Sequence, residues 1–565
     1  MITPRKTLLA GMTLATLATT AACNGSGSTG AGSAFDPKNC QGGTLNVLNS
    51  NTIHHLDPAR IYTSGGGSIP SLLFRTLTTR HRVPGAEGLK PVPDLATDVG
   101  TPSDGARTWT YHLKDGIKFD DGTPITSQDV KYGIERSFAP DLPGGAPYLH
   151  NWLIGGTSYG GPYSGGDLKS IDTPDAKTIV FHLNSPHGDF PYLATATQFA
   201  PVPKAKDTKD QYEYHPVSSG PYKIQSYQKD KDIVLVRNPY WSRSVDDQRL
   251  ACPDKIHITQ GLDPNVLNQR LAGSAGQDAR AISTDTPLSP AQLAQVSGDP
   301  SLAKRAVHGS FPDTEYIAFD ATQKPFDDIR VREAVAYAVN RQSAVDSGGG
   351  SSLAYPGTTF LPEVKAMGYQ PYDPFPAGPT GNPAKARQLL AQAGKPNLSF
   401  DLAYENTDAD QTGPKLAVAV QDALKQAGIR VNLKPINADD FRTVTGKPST
   451  EPAVSLEYWG ADWPAGGPFL IPIFDGRQIL RDGGNFNLAQ FNDPAVNAEI
   501  DAINQITDPA QAAQRWGALD AKIAQQALVV PLMHSKYVYL YGKDVKNAYL
   551  DQWRGTYDIA MVSVK

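Results

Sequence analysis

Apolar residues along this chain recur with two periods. Trp109-Thr110-Tyr111-His112-Leu113 alternates apolar and polar positions, which is the period of a half-buried strand. A Lys114-Asp115-Gly116 turn follows, then Ile117-Lys118-Phe119 ending at Asp120-Asp121-Gly122, so the pair is predicted to be a hairpin. Strand patterns also occur at Thr44–Leu48, Tyr222–Ile224, Ile233–Arg237 and Lys255–Thr259. Helices carry the other period. Thr126 and Asp129 form a capping pair ahead of a stripe at Val130, Ile134 and Phe138. Asp327 or Asp328 opens a second helix, whose face Val331, Ala334, Val335, Ala338 and Val339 follows the i, i+3, i+4, i+7, i+8 template. From Asn382-Pro383 to Ala393-Gly394 the punctuation is complete: a cap, a proline in the first turn and a glycine past the end. Strands alternating with capped helices, separated by loops that draw on 52 Gly and 46 Pro, predict an α/β architecture with much loop.

The chain has 565 residues, enough for three to four units at roughly 150 residues each. Its N-terminus sets the compartment. Arg5 and Lys6 precede an apolar, small-residue stretch from Thr7 to Ala22, closed by Thr20-Ala21-Ala22-Cys23, so residues 1–22 are expected to be an export leader. It is too short to be relied on as a membrane span. Residues 23–39 are dominated by Gly, Ser, Ala and Thr, the composition of a flexible tether. Beyond the leader, 50 basic residues face 57 acidic ones with no basic cluster, which argues against nucleic acid as a partner. Two dinucleotide- or hydrolase-like spellings fail on context. Gly25–Gly30 has no strand before it, and Gly156-Thr157-Ser158-Tyr159-Gly160 is followed by a Gly-rich loop where a nucleophile elbow needs a helix. Cys40 lies four residues before one strand pattern and Cys252 three before another, so the two would meet if those strands are neighbours. Export permits a disulfide between them. No Cys or His stands at ligand spacing to either, so no metal and no cofactor is expected.

Seven blocks, in order, resemble the extracytoplasmic solute-binding proteins of ABC importers, of the dipeptide and oligopeptide-binding type (solute-binding protein family 5). They are Pro93-Asp94-Leu95-Ala96, Trp109-Thr110-Tyr111, Leu113 to Phe119, Asp121-Gly122-Thr123-Pro124-Ile125-Thr126-Ser127-Gln128-Asp129-Val130, Ser219-Gly220-Pro221-Tyr222 before Arg237-Asn238-Pro239-Tyr240-Trp241, Pro325 to Ala334, and Ala386 to Gly394. The resemblance runs from about Gly42 to Val564. It implies an enlarged type II periplasmic-binding-protein-like fold with two ligand-clamping lobes and an extra inserted lobe. Lobe I would comprise residues 40–60, 201–312 and 534–565, lobe II residues 61–200, and lobe III residues 313–533. Ala21-Ala22-Cys23 resembles a bacterial lipobox, which implies lipidation of Cys23 and anchoring on the outer face of the cell membrane. The implied partners are a small-molecule or peptide ligand and the permease subunits of an ABC transporter, with the protein itself a monomer and not an enzyme.

The resemblance also points to Tyr458-Trp459-Gly460-Ala461-Asp462-Trp463-Pro464. An aspartate at the position of Asp462 pairs with the free α-amino group of a bound peptide in the resembled proteins. Its chemistry agrees: indoles on both sides exclude water, an unpaired carboxylate there is costly, and a charged hydrogen bond to a ligand ammonium contributes roughly 1.5–3 kcal/mol. Trp459 and Trp463 are expected to offer flat faces to apolar or cationic groups, with Tyr458 beside them. Thr52 and His54 occupy a position where relatives line the cleft, and Asn485 and Asn487 are candidates for binding solute amides. Aromatic platforms with Asn and Asp suit an oligosaccharide or a siderophore-like solute as well as a peptide. A secreted hydrolase is the competing class, separable because it would turn its substrate over.

Overall fold

The computed structural model describes Cys40 and residues 42–62, 69–407 and 412–565. The expected leader 1–22, Cys23 and the tether to residue 39 lie outside the described residues. Three sheets carry the architecture. The first has five strands in the order Ala281–Ile282, Thr44–Leu48, Lys255–Thr259, Asp232–Arg237, Tyr222–Gln228. Thr44–Leu48 runs parallel to Lys255–Thr259, from Thr44 opposite Lys255 to Leu48 opposite Thr259. The two strands are thus neighbours, and the Cα atoms of Cys40 and Cys252 stand 4.9 Å apart. Leu45, Val47, Ile233, Leu235, Ile256 and Ile258 pack in one core with Tyr557, Ile559 and Val562, so the end of the chain returns to its beginning.

A second sheet, of four strands in the order Thr101–Ser103, Thr108–His112, Thr178–His182, Ile171–Asp172, is inserted in the chain between Thr44–Leu48 and Tyr222–Gln228 of the five-stranded sheet. Trp109, Tyr111, Phe181, Phe190 and Phe199 fill its core. The expected hairpin of 109–113 with 117–119 does not form. Thr108–His112 pairs instead with Thr101–Ser103 and Thr178–His182, and 117–119 folds back on the residues after it: Phe119 N donates to Thr123 O and Ile125 N to Ile117 O. The Asp121-Gly122 turn, with Gly122 at φ +89°, closes this shorter loop. The helix Ser127–Arg136 starts as expected, with the Thr126–Asp129 capping box formed at both ends.

A buried ion network joins the segments flanking the insertion. Asp94, of the Pro93–Ala96 block, accepts from Arg75 Nε at 2.7 Å and Arg249 Nη2 at 2.8 Å, and Arg249 also reaches Asp246 at 3.0 Å. Two guanidinium groups and two carboxylates balance, which is the condition for burying ions without a large penalty.

The third sheet has seven strands. Six form the path Ala306–Ser310, Val529–Leu540, Asp313–Phe319, Val454–Gly460, Ser399–Asn406, Arg430–Asn437, and Ala354–Pro356 pairs off it. The long strand Val529–Leu540 pairs with Asp313–Phe319 along its first half and with Ala306–Ser310 along its second. The two passages of chain into and out of this unit therefore run side by side. Its helices include both expected ones, Ile329–Ala338 capped by Asp328 and Pro383–Gln392 capped by Asn382. Among the described residues no helix is long and apolar enough to cross a membrane.

Candidate ligand site

Strand Val454–Gly460 lies beside Asp313–Phe319, with Gly460 opposite Asp313 at the edge of the double passage. The chain then leaves the sheet, and residues 461–466 form a loop before helix Gly467–Phe474. This loop meets the inserted four-stranded unit. Asp462 Oδ2 accepts a hydrogen bond from the Tyr62 hydroxyl at 3.1 Å and another from the Tyr148 hydroxyl. Tyr148 opens the short helix Tyr148–Trp152 of the inserted unit. Burial holds the Asp462 carboxyl above the usual carboxylate range, against the two phenol hydrogen bonds that favour its ionised form. Burial, and then the charge on Asp462, hold the Tyr148 phenol well above the usual tyrosine range. Both phenols therefore stay protonated and donate. Among the described residues no Lys, Arg or His forms an ion pair with Asp462.

Trp463 is not the open platform its neighbourhood in sequence suggested. It is 4 % exposed and belongs to the core of the inserted unit. Its Nε1 donates to Asp189 Oδ2 at 2.8 Å, and its ring meets Tyr148 and Trp152 edge to face at 4.7 and 5.7 Å. Trp152 in turn stacks on His187 at 3.5 Å. Asp189 is raised to about 6 by burial, partly offset by the indole N–H. Close by, Gly188 N donates to Asn504 O at 2.7 Å, where a Cβ would collide with the Ile506 carbonyl. The Trp463 indole thus plugs one unit into another. A neutral, rigid ring with a single donor suits that task, since its area is buried and its N–H is satisfied.

The other candidates divide. Trp459 is half-buried, donates from Nε1 to Pro468 O at 3.2 Å, and lies 4.8 Å from the Phe486 ring. Tyr458 is 38 % exposed on the opposite face of the strand. Thr52 is half-buried and His54 exposed, on a turn held by Asp285, which accepts from Ser50 N and Asn51 N, and by Gln260, which accepts from Ile53 N. Asn485 and Asn487 are buried and spent on their own loop. Asn485 Nδ2 donates to Asn487 O, Asn487 N donates to Asn485 Oδ1, and Asn487 Nδ2 donates to Phe491 O. Both amides thus brace this loop. Tyr62, Tyr148 and Asp189 escaped the sequence reading. Tyr62 and Tyr148 lie 400 and 314 positions from Asp462, and no local pattern marks them.

Among the described residues no group of three or more His, Cys, Asp or Glu could hold a metal ion. Gly156–Ser158 form a short 3-10 turn after the helix Tyr148–Trp152, which is not the strand-to-helix setting of a nucleophile. The profile of bacterial extracellular solute-binding proteins, family 5 (Middle), matches residues 90–480. The chain belongs to this family. It is 36 % identical to the solved clavulanic acid biosynthesis oligopeptide binding protein 2, with a TM-score of 0.88 over 95 % of this chain and 99 % of that one. The glutathione-binding protein GsiB of Salmonella paratyphi A is 28 % identical over 470 residues, 80 % of this chain and 83 % of that protein. The Helicobacter pylori protein DppA, solved with the peptide STSA, shares the fold at 20 % identity and a TM-score of 0.69, covering 93 % of this chain and 99 % of that one. The protein is therefore an extracytoplasmic solute-binding protein of the peptide-type ABC importer family, a binding protein and not an enzyme.

Proposed function

We propose that this family member is a lipid-anchored receptor that closes on a di- or oligopeptide and hands it to an ABC permease. In this reading lobe I is residues 40–60, 201–312 and 534–565, lobe II is 61–200 and lobe III is 313–533, and the double passage of chain at 306–319 and 529–540 is the hinge. The observation that carries the reading is the half-buried carboxylate of Asp462, held by two phenols and lacking a cationic partner among the described residues. Two neutral donors orient a carboxylate without cancelling its charge, so the site favours a guest that brings a positive one. The α-ammonium of a peptide has three donors and fits an oxygen-lined corner. Trp459 is the apolar wall for the first side chain, Tyr458 on the other face of its strand is a separate contact, and Thr52 and His54 are the contacts from lobe I. Trp463 acts beneath the site, holding the Asp462 loop against lobe II.

Export would bring Cys40 and Cys252 into an oxidising compartment, where their close approach favours a disulfide. Cys23 would carry the lipid. Native mass spectrometry of the protein purified from its membrane fraction tests the reading. The expected result is a bound peptide recovered intact, and protein released from the membrane when Cys23→Ser is introduced. A bound oligosaccharide, or a peptide returned cleaved, would refute it.

A further inference from the structure

The described surface carries a groove of about 540 Å³ to which the unit 313–533, with Asp462, contributes no residue. That volume lies within the range of small-molecule sites, roughly 300–1,000 Å³. The groove follows a seam. Val217, on one side, packs at the margin of the core of the inserted four-stranded unit, and Tyr227, on the other, at the margin of the core of the five-stranded sheet. The polar groups around it are Lys206, Thr208, Gln211, Tyr214, His215 and Tyr227. Each of the six can donate a hydrogen bond, and no carboxylate lines the groove. Among the described residues the side chains of Thr208, Tyr214, His215 and Tyr227 donate none. Burial, and then neighbouring negative charge, Glu213 first, push the Tyr227 phenol up to about 12, so it keeps its proton.

The acids nearby are spent on other partners. Asp207 accepts from the Tyr132 and Tyr163 hydroxyls at 2.8 and 2.6 Å and pairs with Arg136. Glu213 is buried against His55 and Arg60. Asp121 takes both donors of Thr123, and Lys206 Nζ stands 3.9 Å from its other oxygen. An exposed contact of that length leaves the ammonium largely available. In a chain whose acidic residues outnumber its basic ones, the groove is thus a local excess of donors and positive charge. The Tyr214 and Tyr227 rings stand 5.7 Å apart at a 30° tilt. Such amphipathic faces can bury the C–H side of a sugar ring while the phenols bond its hydroxyls. A peptide fits less well. The strand Tyr222–Gln228, which carries Tyr227, is outermost in its sheet, but its register is broken between Ile224 and Ser226, so it offers no regular edge for an added strand. We propose that this groove is a second binding site, for an acidic glycan, with sugar rings on Tyr214 and Tyr227, hydroxyls on Thr208, Gln211 and His215, and a carboxylate on Lys206. It is independent of the peptide reading of the Asp462 cleft.

Calorimetric titration at fixed ionic strength with trigalacturonic acid, maltotriose and triglutamate tests the proposal. A charged hydrogen bond supplies a preference of at least about tenfold. The wild type is expected to bind trigalacturonic acid at least about tenfold more tightly than neutral maltotriose, and more tightly than triglutamate. Lys206→Gln, at an exposed position, is expected to bring the two trisaccharides within about twofold. Tyr227→Phe keeps the ring and loses only the donor, and is expected to weaken trigalacturonic acid by about two- to tenfold. Excess trialanine, or Asp462→Asn, is expected to leave that binding within about twofold. Equal binding of the two trisaccharides, binding of neither, or a preference that survives Lys206→Gln overturns the proposal. Triglutamate bound as tightly as the trisaccharide acid would make this an acidic-peptide groove, and displacement by trialanine would put the glycan in the Asp462 cleft; either result overturns it too.

Discussion

Asp189 gives the junction between the inserted unit and the Asp462 loop a measurable pH signature. Its carboxyl is raised from 3.8 to about 6 by burial, with the Trp463 indole as its counterweight. An acid that holds its proton more tightly folded than unfolded weakens the fold as pH rises. Between about pH 4 and 6 the unfolded chain gives up this proton before the folded one does, so stability falls across that window and levels above it. A difference of about two units corresponds to about 3 kcal/mol at 1.36 kcal/mol per unit. Asp189→Asn removes the titration and keeps an oxygen that can accept from the indole. Urea melts followed by tryptophan fluorescence should show wild type and Asp189→Asn close together at pH 4. The variant should gain on the wild type by about 3 kcal/mol by pH 7, less whatever its amide loses by poorer pairing. Every other titrating group cancels in the difference. Trp463→Phe should push the other way. It keeps the aromatic packing, deletes the donor to Asp189, and steepens the fall by about 1.5–3 kcal/mol, the worth of a charged hydrogen bond. In the Asp189→Asn background the same change should cost about 1 kcal/mol, that of a neutral one. A difference between wild type and Asp189→Asn that does not move from pH 4 to 7 would refute the reasoning.

Asn487→Ala should lower the melting temperature, because it strips a buried loop of hydrogen bonds to Phe491 and from it, yet leave peptide affinity within about twofold in calorimetry. Asp94→Asn leaves Arg75 and Arg249 short of a charge and should cost about 3–5 kcal/mol in urea melts. Burial opposes ionisation of Asp94, but Arg249 and Arg75 outweigh it and hold its carboxyl below the usual range. The stability it contributes is therefore present above about pH 4 and drains as pH falls below, and the variant should lack that acid limb. Reducing the protein, or Cys252→Ser, should lower stability by about 3–5 kcal/mol, from the opening of a loop of 212 residues. Melts with and without reductant check it, and identical curves would refute the cross-link.

Much of the fold was legible because its signals are local. The Thr126 capping box, the Asp328 cap with its five-residue apolar face, and the Asn382 to Gly394 punctuation each specify an element within a dozen residues. The Cys40 and Cys252 offsets compare two strands that prove to be parallel neighbours. The hairpin at 109–119 failed because alternation identifies a strand and not its partner. Thr108–His112 finds Thr178–His182 some 70 positions away, while 117–119 turns back on itself. Asp462 could be singled out from its flanking indoles and the family resemblance, but its setting could not. Tyr62 and Tyr148 reach it through tertiary contacts, and Asp189 reaches Trp463 and converts it from a platform into a plug. Asn485 and Asn487 carry the side chains of a ligand site and spend them on backbone, a distinction that burial alone decides.

The central claim is that Asp462 holds a ligand's positive charge. It is tested by a four-way titration: a free-amine tripeptide and its N-acetyl form against wild type and Asp462→Asn. Asparagine keeps the shape and one acceptor oxygen, and replaces the other oxygen and the charge with a neutral NH2 group. The account predicts that acetylation weakens binding to the wild type by about 10- to 150-fold, the equivalent of 1.5–3 kcal/mol, and changes binding to Asp462→Asn by no more than about threefold. An acetylation penalty equally large in both proteins, or absent from both, would contradict it.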